Sequence, residues 1–171
     1  MKLIETKTLG SAATSIEFTS IPGDATDLVV VCSLRSARTG VDDPISIDIN
    51  GGSTAVTIRR LRGNGSAAAS GTDGPDLWYT SAASTTSNTF DNACIYFPNY
   101  AGSTNKSFSS DGVSENNATE AYQAITAGLW ASTAAITSVK VKSRTGSNLV
   151  VGSTISLYKI TKGTDGIVVV S

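Results

Sequence analysis

Short runs of alternating apolar and polar residues, each ending at a turn, constrain the fold of this chain more than any other feature. The clearest run is PISIDINGGSTAVTIRRL, residues 44–61, where isoleucines alternate with serine and aspartate before and after a turn. The Asn50-Gly51-Gly52 turn supplies residues that tolerate a positive φ, as a tight hairpin turn requires. The segment therefore predicts a β-hairpin over residues 45–61.

Other segments of strand length recur along the chain with turn-forming residues between them. The continuous apolar run Asp27–Arg35 predicts a strand buried on both faces. The remaining predicted strands are Lys2–Leu9, Thr14–Thr19, Asp76–Ala82, Asn88–Phe97, AYQAITAGLW, AAITSVKVKS, NLVVG and STISLYKI. Roughly nine or ten strands at this spacing, without an internal repeat, are typical of a sandwich or jelly roll.

The fold prediction is therefore an all-β chain, a jelly roll or β-sandwich of two antiparallel sheets. Residues 1–162 form the jelly-roll domain, and residues 163–171 are a C-terminal arm or an edge strand. The stretch over residues 118–130 fits two patterns. Asn117 and Glu120 have the spacing of a helix capping box, whereas Thr126 and Gly128 favour a strand. We predict a strand.

The charge balance excludes several classes of partner. The 171 residues carry a formal net charge of −1, and the closest basic cluster is Arg59, Arg60 and Arg62. On a strand this cluster divides between two faces, which is a poor phosphate-binding stripe. We therefore expect no nucleic-acid partner. No apolar stretch is long enough for a membrane span and the first residues lack a signal-peptide core, so we expect no membrane association and synthesis without a cleaved leader.

The residue types needed for ordinary side-chain catalysis are missing or poorly placed. The chain has no histidine, which removes Ser-His-Asp and Cys-His systems and histidine-bound metals. Cys32 and Cys94 lie in apolar segments and are expected to be core thiols, with a disulfide as the alternative. The remaining acidic candidates for a glycosidase or a calcium loop lie in turns, where aspartate is expected for its turn hydrogen bonds; they are Asp42, Asp43, Asp73, Asp76, Glu115 and Glu120. We predict no catalytic site, no metal and no cofactor.

Two adjacent aromatic residues are candidates for an interface. Trp78 and Tyr79 face opposite sides of a strand, so one of them is expected to be exposed. Exposed Trp and Tyr side chains stack on sugars or anchor protein interfaces.

The second half of the chain carries a series of short motifs in a distinctive order. They are Pro98–Tyr100, Ala127–Trp130, Thr133–Val139 and Gly152–Ile160. Together they resemble a pattern found in virion proteins of tailed bacteriophages, and SIEFTSIP near the start is similar to the opening of that family. Lys159 stands where much of the family has glycine, so the end of the last strand is expected to differ.

This resemblance implies a jelly-roll protein that decorates the outside of a phage head, commonly a homotrimer, with the major capsid protein as its partner. The protein would then be made in the host cytoplasm and lie on the exterior of the virion. The resemblance carries over no catalytic residues. The alternative is a tail or fibre adhesin that binds a host glycan through Trp78 and Tyr79, and a third possibility is a cellular lectin-like module.

The C-terminal segment ends in four aliphatic β-branched residues, Ile167, Val168, Val169 and Val170. Each gains roughly 1.5–3 kcal/mol on full burial, so the segment is expected to pack against protein. It either forms an edge strand of its own sheet or adds to a neighbouring subunit or the capsid shell.

Overall fold

The computed structural model describes residues 1–72, 74–118 and 120–161, and over these residues the chain forms twelve strands and no helix. The prediction of an all-β protein is therefore confirmed. The strands are β1 (Lys2–Thr8), β2 (Ser15–Phe18), β3 (Asp27–Leu34), β4 (Asp42–Ile49), β5 (Val56–Gly63), β6 (Ala68–Gly71), β7 (Asp76–Ser81), β8 (Asp91–Phe97), β9 (Lys106–Ser114), β10 (Tyr122–Trp130), β11 (Val139–Ser143) and β12 (Thr154–Ile160).

The strands form two antiparallel sheets of unequal size. The large sheet has the order β1-β12-β3-β8-β9-β10-β5-β6, and the small sheet has the order β2-β11-β4-β7. Every pair of neighbouring strands in both sheets is antiparallel. The two sheets pack as a sandwich.

Eight of the strands have the connectivity of a jelly roll. Along the chain, β1 to β4 alternate between the large and the small sheet, and β7, β8, β11 and β12 alternate again, while β4 and β7 are neighbours in the small sheet. The orders β1-β12-β3-β8 and β2-β11-β4-β7 are those of the paired Greek keys of a jelly roll. The other four strands, β9-β10-β5-β6, continue the large sheet beyond β8, and we call them the extension.

Alternating side chains of both sheets fill one core between them. The small sheet contributes Ile45, Ile47, Val139 and Val141, and the large sheet contributes Leu28, Val30, Ile95, Ile155 and Leu157. Each of these side chains gains roughly 1.5–3 kcal/mol by leaving water, which is the main force that holds the sheets together.

The predicted hairpin over residues 45–61 is wrong as a pairing, although both strands exist. β4 pairs with β11 and β7, whereas β5 lies in the other sheet between β10 and β6. The tight turn does form, since Asn50 and Gly51 have φ of 49° and 87°. However, the Asn50 side chain accepts hydrogen bonds from the backbone N–H groups of Thr137 and Ser138 at 2.8 and 3.0 Å. This anchors the turn to the loop before β11, and the chain then crosses to the large sheet.

Residues 122–130 form a strand, as predicted, because both edges of β10 are paired along its length. Its neighbours are β5 on one side and β9 on the other. Gly128 is required here by packing, since a Cβ atom at this position would lie 2.1 Å from the Phe108 ring. A side chain at residue 128 would force the Phe108 ring out of its position over β10.

Three other predictions along the chain differ from the structure. β9 and β6 occupy segments for which we predicted no strand, because their Ser, Gly and Ala residues hide the strand pattern. NLVVG, predicted as a strand, makes isolated bridges in which Leu149 pairs with Ala13 and Ser36.

β3 is fully buried on its inner face and only partly on its outer face, so the prediction that both faces are buried holds for Val29, at 8% exposure, but not for Val31 in the isolated subunit. Leu28, Val30 and Leu34 point into the core, but Val31 on the other face is 40% exposed. Cys32 also points inward, opposite Ala93, while Cys94 lies opposite Val31 on the outer face. Because the two thiols project from opposite faces of the sheet, they do not pair, and both are free.

Candidate interaction surface

Trp78, an expected interface residue, is a core residue of the folded subunit. Its side chain is 1% exposed. The ring lies over Gly112 of β9, where a Cβ atom would be 2.5 Å from the Trp78 side chain. The prediction that Trp78 contacts a partner is corrected by this position, because the ring has no access to the surface.

Tyr79 is partly exposed, but protein groups already occupy its ring. The Tyr79 and Tyr122 rings lie 5.1 Å apart, and the guanidinium groups of Arg60 and Arg62 each lie 5.0 Å from the Tyr79 ring. Arg60 also donates a hydrogen bond to the Tyr79 hydroxyl at 3.1 Å. This cluster ties β7 to the extension, and its members pack against the Tyr79 ring where a sugar was expected to stack.

The acidic candidates in the described residues have structural roles, although Asp42 lies close enough to Asp43 and Glu120 to interact electrostatically with both. Buried Asp43 accepts hydrogen bonds from Ser36 at 2.6 Å and Thr145 at 2.9 Å. Asp42 pairs with Arg38 at 3.0 Å, and burial raises the pKa of this carboxyl. Asp76 pairs with Arg144 at 2.5 Å.

Glu115 accepts a hydrogen bond from the N–H of Asn117 at 2.9 Å, and Glu120 is exposed before β10. Asp73 lies outside the described residues. Within residues 1–72, 74–118 and 120–161, no group of three or more acidic, cysteine or histidine side chains could hold a metal ion.

The cation buried most deeply at the edge of the core, Lys106, is also structural. Its ammonium group donates to the backbone carbonyls of Gly102 at 2.6 Å and Ala134 at 2.5 Å, and it lies 5.5 Å from the Trp130 ring. Burial lowers the pKa of Lys106. These contacts hold the loop before β9 against the loop after β10.

The outer face of the large sheet is the surface that the predictions missed. Six side chains on it are large, apolar and exposed, namely Leu3, Val31, Leu61, Tyr96, Ile125 and Leu129. Most of the residues between them are Ser, Thr and Ala. In the described strands, the charged side chains on this face are Asp27, Arg59 and Asp111. An exposed apolar face of this kind is typical of an interaction surface.

Apart from Leu129 near the end of β10, the large apolar residues of this face fall into two patches. The β3 patch lies over the jelly-roll strands and consists of Leu3, Val29, Val31, Tyr96 and Tyr158. Its members are neighbours in register, because Val29 lies opposite Tyr96 on one side and Tyr158 on the other, and Tyr158 lies opposite Leu3.

The second patch, the β10 patch, lies on the extension and consists of Leu61, Ile125 and Ala127. Leu61 lies directly opposite Ile125. The patch is the floor of an open groove of about 620 Å³, with Arg59 on the β5 side and Asp111 on the β9 side.

The predicted C-terminal arm, residues 163–171 with Ile167, Val168, Val169 and Val170, lies outside the described residues. The described chain reaches Thr161, directly after β12. β12 lies between β1 and β3, so the chain leaves the described part beside the β3 patch.

The sequence of β10 contains a pattern that indicates the exposed apolar face of the large sheet. In AYQAITAGLW one set of alternating positions holds Tyr, Ala, Thr, Gly and Trp, which point into the core. The other set holds Gln123, Ile125, Ala127 and Leu129, which is also largely apolar. A strand that is apolar on both faces but covered on one side points to a second covering partner.

No helix of the described residues is long and apolar enough to cross a membrane. Comparison of the chain with known proteins identifies no relative, since no family model, curated protein or solved structure matches it.

Proposed function

We propose that this chain is a non-enzymatic structural protein of a virus particle, a jelly-roll decoration or cement protein on the outside of a tailed-phage head. In this proposal its partner is the major capsid protein, which it stabilises from the exterior after synthesis in the host cytoplasm. Neither nucleic acid nor membrane takes part.

The observation that supports the proposal most is the outer face of β3. The apolar run of this strand has the composition of a strand buried on both faces, yet Val31 is 40% exposed in the subunit alone. Burial of such a face against another protein removes roughly 25 cal/mol of unfavourable free energy for each Å² of apolar surface. The β3 patch therefore suits a permanent contact with the capsid shell.

Two further observations agree with a structural role. The order of the motifs from Pro98 to Ile160 resembles that of phage virion proteins. The acidic candidates that the structure describes serve turns, ion pairs and buried hydrogen bonds.

We propose that three copies assemble around a threefold axis, in solution or on the particle, because closed rings are a common way to hide complementary surfaces. Residues 163–171 then extend from beside the β3 patch to a neighbouring subunit or to the shell. There the backbone of residues 167–170 adds to a sheet edge while the aliphatic side chains fill pockets.

The adhesin alternative has less support in the subunit. Trp78 is buried in the core, and the Tyr79 ring packs against Arg60, Arg62 and Tyr122. The sugar platform expected from these two aromatic residues is thus occupied by protein.

Deletion of residues 163–171 tests the proposal with the full-length chain as its control. Both proteins are mixed with expanded phage heads assembled without this chain, and bound protein is measured after sedimentation of the heads. We expect the full chain to bind heads. The shortened chain should remain folded, with little change in melting temperature, and bind at least about tenfold more weakly, because it loses backbone pairing and apolar burial.

A full chain that fails to bind heads but binds host glycans on an array would contradict the decoration proposal and favour the adhesin. A shortened chain that melts many degrees lower while binding heads normally would instead assign residues 163–171 to the core of their own subunit.

A further inference from the structure

The β10 patch combines a flat apolar floor with high exposure at its centre. Leu61 and Ile125 are paired directly across β5 and β10, and they are 48% and 52% exposed. Ala127 is the next outward-facing residue on β10, and its small side chain extends the flat apolar surface. Two large aliphatic side chains exposed side by side on a paired strand cost free energy in water, so a covering partner would stabilise them.

The two charges beside the patch have opposite signs and lie on opposite sides of β10. Asp111 on β9 is directly opposite Ile125. Arg59 on β5 is directly opposite Ala127. The negative charge therefore lies beside Ile125 on one side of β10, and the positive charge lies beside Ala127 on the other side. The arrangement has the form of an apolar centre with one charge at each end of a diagonal.

This diagonal is complementary to a copy of itself. A twofold axis that lies between two facing large sheets, perpendicular to this diagonal, and passes over the middle of the patch between Ile125 and Ala127 exchanges the two ends of the diagonal. It places Arg59 of each copy opposite Asp111 of the other and brings the two Leu61–Ile125 pairs together. Isologous contacts of this kind require a surface that is its own complement.

We propose that the β10 patch is the contact surface of a symmetric dimer, in which a second copy of this chain covers the extension of the large sheet. The apolar floors form the centre, and two Arg59–Asp111 ion pairs, one on each side of the axis, set the register of the two copies.

The size of the surface sets the expected strength of this dimer. Five strands from β8 to β6, spaced about 4.8 Å apart, present roughly 500 Å² of each copy. A standard stable interface covers about 800 Å² of each partner. The dimer is therefore expected to dissociate on dilution, at concentrations in the micromolar range.

This inference does not rest on the proposed function, since it concerns the free protein in solution. On a particle, the same contact would join neighbouring rings of three across a twofold axis, whereas the β3 patch would remain free for the shell.

Charge reversal tests the proposal through the oligomeric state of the full chain, measured by sedimentation velocity over a range of concentrations. The unaltered chain is expected to form a reversible dimer. Arg59→Asp and Asp111→Arg should each weaken it at least about tenfold, because each variant places like charges opposite one another twice in the dimer. The double variant Arg59→Asp/Asp111→Arg should dimerise like the unaltered chain, because both ion pairs are rebuilt with reversed polarity.

Mixing the two single variants provides a test that a structural defect cannot imitate. Each contact of the mixed dimer joins position 59 of one copy to position 111 of the other, and both contacts then pair an aspartate with an arginine. An equimolar mixture should therefore dimerise although neither variant does so alone. Lys140→Glu, a charge reversal on the small sheet, is the matched control and should leave the dimer unchanged.

Ile125→Lys should abolish dimerisation, with no restoration by the double charge reversal, because it removes the apolar centre. A monomer at every concentration would overturn the inference, as would a dimer or trimer that is insensitive to both single reversals. Either result leaves the head-binding test of the proposed function unaffected.

Discussion

The outer faces of the two sheets have opposite chemical character, although both cover the same core. Across the small sheet, Glu17, Lys140 and Asp48 lie side by side on three neighbouring strands. Lys140 pairs with Glu17 at 3.2 Å and Lys142 pairs with Asp48 at 2.7 Å. The outer face of the large sheet instead presents Ser, Thr, Ala and exposed aliphatic side chains, with few charges.

This difference indicates which outer face is stable in water and which would be stabilised by a partner. The Lys140–Glu17 pair on the small sheet is partly exposed, and desolvating it further would cost free energy. The aliphatic residues on the large sheet gain free energy whenever another surface covers them. We infer that partners approach the large sheet, and that the small sheet stays in contact with water.

The largest expected effect concerns the core that the two sheets share. Trp78→Ala removes the ring that lies over Gly112 and should lower the free energy of unfolding by about 3–5 kcal/mol. Tyr79→Phe is the neighbouring control and loses one hydroxyl hydrogen bond, worth about 0.5–1.5 kcal/mol. Urea denaturation measures both. If Trp78→Ala is no more destabilising than Tyr79→Phe, the two sheets do not depend on a common core at this position.

The next effect distinguishes the two outer faces directly. Val31→Lys places a charge in the β3 patch and should weaken binding to undecorated heads at least about tenfold, since the lysine must be desolvated in the contact. Its free energy of unfolding should change by less than about 1 kcal/mol, because the side chain is exposed in the subunit.

Lys140→Ala is the corresponding change on the small sheet, and it should leave head binding unaltered. Head binding that falls for Lys140→Ala but not for Val31→Lys would reverse the assignment of the two faces.

The smallest effect is expected from a partly exposed ion pair on the small sheet. Lys140→Ala removes the partner of Glu17 and should lower the free energy of unfolding by about 0.5–1 kcal/mol at low ionic strength. The loss should shrink as salt is added, because screening weakens the pair in the unaltered chain. Thermal melting at two salt concentrations measures this difference. Lys140→Arg preserves the charge and should melt like the unaltered chain, and a salt-independent loss would mean that Lys140 acts through packing instead.

The fold class was predictable because the alternation of apolar and polar residues is local. The period of two in β4, β5 and β10 identifies each as a strand. Pairing was less predictable, since it depends on contacts far apart in sequence. The Asn50-Gly51 turn forms as predicted, but the bonds from Asn50 to residues 137 and 138 direct the chain to the other sheet. The sequence did not predict β9, because Gly112 interrupts its strand pattern. Gly112 is required because the Trp78 side chain packs against it, and this contact is visible only in the structure.

The exposed apolar face of the large sheet was not predicted from the sequence. Adjacent aromatic residues suggested Trp78 and Tyr79, yet the close approach of β7 to Gly112 buries one ring and two arginines cover the other. The face that the structure exposes is built from Val31, Leu61 and Ile125, which the sequence presents as ordinary core residues. Only the observation that β3 and β10 are apolar on both faces, but covered on one, distinguishes them.

Cys32 and Cys94 point to opposite faces of the large sheet, so the reaction of each thiol with an alkylating reagent reports a different event. Cys94 lies on the outer face, directly opposite Asp111, so a thiol reagent reaches it from the side where a second copy would sit. Cys32 is sealed in the core, and burial raises the pKa of its thiol, so it reacts only when the strands around it open. A single alkylation time course, resolved by mass, therefore separates occupancy of the large sheet from opening of the sandwich without any engineered label.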